Sequence, residues 1–150
     1  MKEILIYGPI GQATTAEDVV RQFQEAKGED VLVRIHSEGG SVLDGEAILN
    51  AIRQHDATVF GQIDGMAFSM GAIIALELKG LGGLTMPADG WIMLHEVRAG
   101  TGGTQQDLER TLTQVKAMNA SIAVKVSDAL SISEEEAAEK LREEIWMNGQ

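Results

Sequence analysis

Cysteine is absent from this 150-residue chain, which excludes disulfides, thiolate nucleophiles and zinc–thiolate sites together. Basic residues are scarce, since 12 Lys and Arg stand against 23 Asp and Glu, for a formal net charge of −11. Such a charge repels nucleic-acid phosphates and anionic membrane surfaces, so neither partner is expected. The longest apolar stretch, 66–78, is interrupted by Ser69 and Glu77 and is shorter than the roughly 20 residues of a membrane span. With no cleavable apolar leader recognised, we expect a soluble cytoplasmic protein.

Aromatic residues are also rare, at 4 % of the chain, whereas glycine is abundant, with 17 residues. The hydrophobic content of 44 % is typical of a globular protein, and glycine-rich chains form many tight backbone turns. A chain of this length buries one core. We therefore predict a single folded domain over residues 1–150.

Strand patterns alternate with helical patterns along the chain. Short β-prone runs occur at 4–7, 31–35, 58–63 and 91–95, and glycine-containing segments, among them a predicted turn at Asp64-Gly65, separate them from helical periods. Thr15, Thr104 and Ser133 stand at predicted helix starts, and Leu43, Ala47, Ile48 and Ile52 form the predicted apolar face of another helix. Repeated strand-turn-helix units indicate an α/β fold with a mostly parallel sheet buried by helices.

A long projecting helix is predicted from about Thr104 to Leu130. A helix of that length would extend roughly 40 Å, which exceeds the width of a domain of this size. Apolar residues follow a narrow stripe along it, namely Leu108, Leu112, Val115, Ile122 and Val126. The stripe packs either on the core of the same chain or on a partner.

Ser69 is the candidate nucleophile. It lies in Ala67-Phe68-Ser69-Met70-Gly71, where a strand pattern gives way to an apolar helix, a context similar to a nucleophile elbow with alanine for the first glycine. At a helix start, the positive end of the dipole favours negative charge, and the Met70 amide is free to bind an oxyanion. The alternative interpretation is an ordinary serine N-cap.

Two further features lie at predicted carboxyl ends of strands, where α/β sheets bind ligands. Gly39-Gly40 could bring a second backbone amide to the cleft, or could form an ordinary tight turn. His95 is the first candidate for a general base and His36 the second, whereas His55 fits a surface position at a helix end.

Three segments together strongly resemble the caseinolytic (Clp) protease proteolytic subunit family, which shares the wider crotonase-like fold. They are IHSEGGSVLDGEAI at 35–48, GMAFSMGAIIAL at 65–76 and LTMPADGWIMLHEV at 84–97. The resemblance implies a serine endopeptidase without metal or cofactor, with Ser69 as nucleophile and His95 as base. It further implies oxyanion-hole amides at Gly40 and Met70 and Glu144 as third triad member, with Glu143 and Asp64 in reserve. The implied substrate-binding residues are Gly39, Ser41, Val42, Arg98, Ala99 and Gly100.

The segment Glu144 to Trp146 and Phe68 resemble the phage-encoded branch of the family, the Clp-like head maturation (prohead) proteases. The resemblance implies a polypeptide substrate and a homo-oligomeric ring, a heptamer or a stacked double ring. The chain is expected to be a catalytic core short at both ends, which does not favour dependence on an AAA+ unfoldase. The alternatives are a crotonase-like acyl-CoA enzyme and a catalytically inert ring-forming scaffold.

Overall fold

A computed structural model describes residues 1–150 and divides into two compact units, Met1–Leu94 with Trp146–Gln150, and His95–Ile145. The strands are β1 (Lys2–Tyr7), β2 (Val31–Ser37), β3 (Val59–Phe68), β4 (Leu84–Thr85), β5 (Trp91–Leu94) and β6 (Ile145–Asn148). The helices are α1 (Ala16–Glu25), α2 (Val42–Gln54), α3 (Met70–Leu81), α4 (Gln105–Leu130) and α5 (Glu134–Glu143). None of these helices has the length and apolar character to cross a membrane. The single catalytic domain over 1–150 stays a prediction.

The six strands form one sheet in the order β1-β2-β3-β5-β6, with β4 beside β3. β1 pairs in parallel with β2, and β3 pairs in parallel with β2, β4 and β5. The predicted α/β fold with a mostly parallel sheet is therefore confirmed. Parallel neighbours bring the carboxyl ends of β2, β3 and β5 to one edge, where the candidate residues of the first unit lie.

Burial alternates along the strands, as in β1 at the edge of the sheet, so one face of the sheet carries the core. Ile4 and Ile6 of β1 are fully buried, while Leu5 and Tyr7 between and after them are exposed. Helices α1 and α3 contact the strands, and α2 packs on both of these helices. The expectation that helices bury the sheet is correct for this face, but exposed Leu5, Tyr7 and Trp91 show that the other face is not covered in the same way.

The predicted turn at Asp64-Gly65 is wrong, because β3 continues through both residues to Phe68. Ile35 pairs with Ile63 and Ser37 with Ala67, so two steps along β2 face four steps along β3. The extra residues form a bulge, and such irregularities redirect the end of a strand. Glycine suits position 65, because a Cβ there would be crowded against the His36 ring at 3.0 Å.

In the second unit, α4 and α5 pack against each other. The helix α4 begins near Thr104 as predicted, and Thr104 and Asp107 form a capping box there. The Ser133 hydroxyl caps α5, as predicted. The predicted apolar stripe of α4 divides into two parts: Ile122 and Val126 are buried, whereas Leu108 and Leu112 are exposed.

Candidate active site

Ser69 lies on a sharp turn between β3, which ends at Phe68, and α3, which begins at Met70. Its backbone has φ 53° and ψ −120°, a conformation that costs a non-glycine residue about 1 to 3 kcal/mol. A hydrogen bond from Ser69 N to Met93 O, at 2.7 Å, holds the residue in this conformation. Strain of this kind at a strand-to-helix turn is typical of a nucleophile elbow.

The interpretation of Ser69 as an ordinary N-cap is wrong. Its side chain makes no capping hydrogen bond, although it occupies the N-cap position of α3. At the other four helices, the N-cap hydroxyl accepts a hydrogen bond from a backbone amide three residues on; these N-caps are Thr15, Ser41, Thr104 and Ser133. The Ser69 hydroxyl is therefore the one N-cap hydroxyl that local helix capping does not use.

The turn after β2 lies directly against this elbow. A Cβ added to Gly39, whose φ is +93°, would lie 2.7 Å from the Ser69 Cβ and 3.0 Å from Met70 N. A Cβ added to Gly40, whose φ is +143°, would lie 2.3 Å from Ile10 O. Both glycines are thus required by close approach as well as by backbone conformation.

Two backbone amides beside Ser69 have no acceptor within the protein. Gly39 N donates to the Ser37 hydroxyl at 3.0 Å, so this amide is already used. Gly40 N and Met70 N donate to no protein acceptor. Ile10 N donates to Gly39 O, and Ser41 N donates to Ile10 O, so this edge of the turn pairs with Ile10. The N–H of Gly40 therefore points away from Ile10. These are the two amides that the sequence predicts as oxyanion donors.

His95 begins the second unit, directly after β5. Its Nδ1 is in hydrogen-bond contact with the Glu96 carbonyl oxygen. Since a carbonyl can only accept, this contact puts the proton of the neutral ring on Nδ1 and leaves Nε2 as the basic nitrogen. The following backbone is anchored by hydrogen bonds from Glu96 N to Leu141 O at 3.2 Å and from Val97 N to Asn119 Oδ1 at 2.7 Å.

Glu144 is the C-cap of α5 and has φ 63°. Its carboxylate pairs with the Arg98 guanidinium at 3.0 Å, and neither a hydrogen bond nor an ion pair joins it to His95. Arg98 is largely exposed, and exposed pairs of this kind are weak. Glu144 as third triad member stays a prediction.

Asp64, the reserve acid in the first unit, is already engaged in a polar cluster on the sheet. It accepts hydrogen bonds from Arg34 Nε at 3.0 Å, from the Tyr7 hydroxyl at 2.5 Å and from Gln62 Nε2 at 2.6 Å. Burial by itself would raise the pKa of Asp64, but these three donors outweigh burial and hold the pKa below its ordinary value.

The other two histidines have structural neighbours. The His36 ring packs against the Tyr7 ring at 5.7 Å between centroids, and His55 Nε2 bonds to the Glu29 carbonyl at 2.8 Å. His55 thus links a helix end to a loop, in line with its predicted surface role.

The predicted site residues are divided between the two units. The first unit holds Gly39, Gly40, Ser41, Val42, Ser69 and Met70, and the second holds His95, Arg98, Ala99, Gly100 and Glu144. Sequence reasoning missed Ser37, Ile10 and Asn119, which hold the backbone around the candidate groups. Ser37 lies inside the segment 35–48 and Asn119 inside the predicted long helix, and neither stands in a pattern that predicts a role in the site.

The whole chain, residues 1–150, matches the family model described as Clp protease. Proteolytic subunit 3 of the ATP-dependent Clp protease of Rhizobium etli is 26 % identical over 152 residues, covering 99 % of this chain and 77 % of the relative. The corresponding subunit 3 of Rhizobium johnstonii is 31 % identical over 121 residues, covering 79 % and 61 %. The proteolytic subunit of Streptococcus pneumoniae strain 70585 is 31 % identical over 113 residues, covering 73 % and 57 %. The chain thus spans about three-fifths of the length of the last two relatives.

A strained serine between a parallel strand and a helix is typical of serine-type hydrolases, and the family match agrees with that class. The chain belongs to the Clp protease family and is by class a serine-type peptidase. The resemblance of the three segments to the Clp protease proteolytic subunit family is confirmed.

Proposed function

We propose that this chain is a serine endopeptidase that cleaves polypeptides through an acyl-enzyme. Ser69 is the nucleophile and His95 the general base. Glu144 is the proposed carboxylate that orients the imidazole, by accepting in the reacting enzyme the Nδ1 proton that contacts the Glu96 carbonyl in the structure. The observation that carries the proposal is the strained Ser69, whose hydroxyl caps no helix and which lies beside the unbonded amides of Gly40 and Met70.

The reaction has two halves. Nε2 of neutral His95 takes the Ser69 proton as the Ser69 oxygen attacks the peptide carbonyl carbon, and the carbonyl oxygen becomes an oxyanion bound by Gly40 N–H and Met70 N–H. The C–N bond then breaks, and the imidazolium gives its proton to the leaving amine. Water attacks the ester with His95 again as base, which releases the new carboxyl end and restores Ser69.

The proposed substrate strand binds the backbone at Ser41 and Val42 and at Arg98, Ala99 and Gly100. Because Ser41 N already donates to Ile10 O and Ser41 O already accepts from Gly45 N, the free backbone groups of this turn are those of Gly40. Ile10 pairs with one edge of the Gly39–Ser41 segment, and this leaves the outward-facing groups of Gly40 for another strand. At the start of this segment, Gly39 packs closely against Ser69.

The wider role remains part of the proposal. We infer a polypeptide-cleaving homo-oligomeric ring of the phage Clp-like type, located in the cytoplasm. The exposed Leu108 and Leu112 of α4 support assembly, because large apolar side chains in register on a helix favour a partner. The relatives are named as subunits of an ATP-dependent protease, and for this chain we propose peptidase activity without an unfoldase.

Labelling with a fluorophosphonate tests the nucleophile directly. Intact-mass and peptide mapping of the assembled protein should place one adduct on Ser69, and Ser69→Ala should lose both the adduct and peptide turnover. Ser133→Ala is the matched control, since it removes a serine N-cap from α5 and should keep both. Full peptidase activity in Ser69→Ala would overturn the proposal, as would turnover of coenzyme A thioesters with no reaction at Ser69.

A further inference from the structure

Ser37 is a fully buried hydroxyl that the proposed reaction does not use. It is 0 % exposed. Ser37 and Thr14 are the two buried polar residues of the chain. Its Oγ donates to Gly8 O at 2.7 Å and accepts from Gly39 N at 3.0 Å. One hydroxyl therefore ties the end of β1 to the turn that carries Gly40.

The two glycines of this turn need outside support to hold one conformation. Gly39 and Gly40 have φ of +93° and +143°, and glycine populates such conformations without preferring one of them. Two hydrogen bonds fix the successive peptide planes. Ser37 Oγ holds the plane of Gly39 N–H, and Ile10 N holds the next plane through Gly39 O at 2.8 Å.

The second of these planes determines where the oxyanion donor points. In a trans peptide, C=O and N–H point in opposite directions, so binding Gly39 O to Ile10 turns the Gly40 N–H away from Ile10. Ile10 belongs to the loop between β1 and α1, and that loop is joined to the turn through Gly8 and Ser37. Ser37 thus links the loop between β1 and α1 to the Gly39–Gly40 peptide, which that loop orients through Ile10.

Ser37 also contacts the helix that supplies the other donor. A Cβ added to Gly71, in the first turn of α3, would lie 3.3 Å from both the Cβ and the carbonyl oxygen of Ser37. Gly71 follows Met70, whose N–H is the second unbonded amide. Ser37 therefore lies close to the residue next to each donor, Gly39 beside Gly40 and Gly71 beside Met70.

We propose that Ser37 is a positioning residue of the oxyanion hole, which acts by holding the Gly39–Gly40 peptide against the loop between β1 and α1 and against the start of α3. This inference rests on the proposed function. A positioning residue of this kind affects the transition state more than the bound substrate, because negative charge develops on the carbonyl oxygen only as the reaction proceeds towards the tetrahedral intermediate.

The test compares Ser37→Ala with Thr14→Val in the full-length protein. Thr14 is the matched control, because its buried hydroxyl also makes two backbone hydrogen bonds in this loop, from Tyr7 N at 3.0 Å and to Tyr7 O at 2.7 Å, without touching Gly39. Ser37→Cys is the second variant, since a thiol fills nearly the same space but forms weaker hydrogen bonds. The measurements are kcat and KM for a peptide, the rate of fluorophosphonate labelling of Ser69, and the inhibition constant of a peptide aldehyde, whose adduct carries a comparable oxyanion.

In Ser37→Ala we expect kcat, the labelling rate and aldehyde affinity to fall together by roughly tenfold or more, with KM changed less than about twofold. This loss is smaller than the roughly 10²- to 10³-fold effect of removing a whole oxyanion donor. Ser37→Cys should lie between Ser37→Ala and the parent, and Thr14→Val should keep all three values even where its melting temperature falls as far.

Two outcomes overturn the inference in distinguishable ways. If the parent labels at Ser69 and Ser37→Ala labels at the same rate, the role of Ser37 is wrong while the proposed function stands; the same holds if Thr14→Val loses as much. If the parent does not label at Ser69, the proposed function is wrong and the oxyanion role of Ser37 is wrong with it.

Discussion

A Cβ added to Gly39 would lie 2.7 Å from the Cβ of Ser69, a separation that two such atoms do not tolerate. Gly39→Ala must therefore push the elbow away or change the turn, and either movement displaces the Ser69 oxygen from its two amides. We expect kcat/KM for a peptide to fall by about 100-fold or more, because displacements near 1 Å have effects of that size.

Gly28→Ala is the control for backbone strain alone. Gly28 also has a positive φ, +79°, but a Cβ added there meets nothing within 4 Å. Both substitutions should lower the free energy of unfolding by about 1 to 2 kcal/mol through the left-handed backbone. Equal activity losses in the two variants would contradict the assigned contact between Gly39 and Ser69.

Sequence reasoning found the strand and the helix around Ser69, because the β-prone and apolar patterns are local. It placed a turn at Asp64-Gly65, whereas the pairing of β3 with β2 converts this signal into a bulge within a strand. It also placed Leu43 on the buried face of α2, where the structure leaves it 71 % exposed. The bulge depends on strand pairing between β2 and β3, which no local pattern contains.

Ser69→Gly should stabilise the protein while it abolishes catalysis. Glycine adopts the conformation of Ser69 without steric cost, and the lost hydroxyl makes no capping hydrogen bond. Removing the backbone strain stabilises the folded state, and the greater flexibility of glycine in the unfolded chain offsets part of this gain. We expect a net increase of about 1 kcal/mol in the free energy of unfolding. Urea denaturation of the parent and the variant measures it.

Alanine variants separate relieved strain from lost capping. Ser69→Ala keeps the strained backbone and loses no cap, so its free energy of unfolding should stay within about 0.5 kcal/mol of the parent. Ser133→Ala removes the cap of α5 and should lose about 1 kcal/mol. A loss at Ser69 equal to that at Ser133 would argue for a capping role at Ser69.

The polar cluster around Asp64 should make the stability depend on pH at both extremes. The pKa of Asp64 is lowered in the folded protein, so its stabilising effect is present above the ordinary carboxyl value near 3.9 and is lost as the pH falls below it. The hydrogen bond to Asp64 raises the pKa of Tyr7, so the contribution of Tyr7 is present below its ordinary value near 10 and is lost above it.

Asp64→Asn tests this dependence. The variant should lose about 1 kcal/mol of unfolding free energy at neutral pH, a modest value because Arg34 remains a third exposed to screening water. Its melting temperature should then fall less steeply than that of the parent below about pH 4. Parallel acid profiles for the two proteins would show that Asp64 is not the linked group.

Glu144→Gln should lower kcat by about 100-fold or more, because a neutral amide cannot stabilise the imidazolium that His95 becomes. The neighbouring Glu143→Gln is the matched substitution and should keep kcat. Measuring both with one peptide decides between the two acids. Unchanged kcat in Glu144→Gln would instead indicate that the Glu96 carbonyl, which contacts Nδ1 in the structure, is sufficient to orient the ring.

The site itself was only partly accessible to sequence reasoning. Ser69, Gly40 and Met70 follow from motif and position, since a strand end and a helix start expose those groups by geometry. Ser37 could not be found in this way, because a buried serine and an exposed one are the same letter in a sequence. Its role depends on Gly8 and Gly71, which are distant in the chain and meet it only after folding.

The pH dependence of catalysis should report a single protonation of His95. Nε2 accepts the Ser69 proton only in the neutral ring, so kcat/KM for a peptide should decrease as acid converts the imidazole to imidazolium. The Glu96 carbonyl that contacts Nδ1 can only accept, so the neutral ring carries its proton on Nδ1 and Nε2 is the nitrogen that takes the Ser69 proton. A profile of kcat/KM and of the fluorophosphonate labelling rate should give the same midpoint, because both begin with attack by the Ser69 oxygen. A flat profile for both quantities, with chemistry limiting, would exclude His95 as the base.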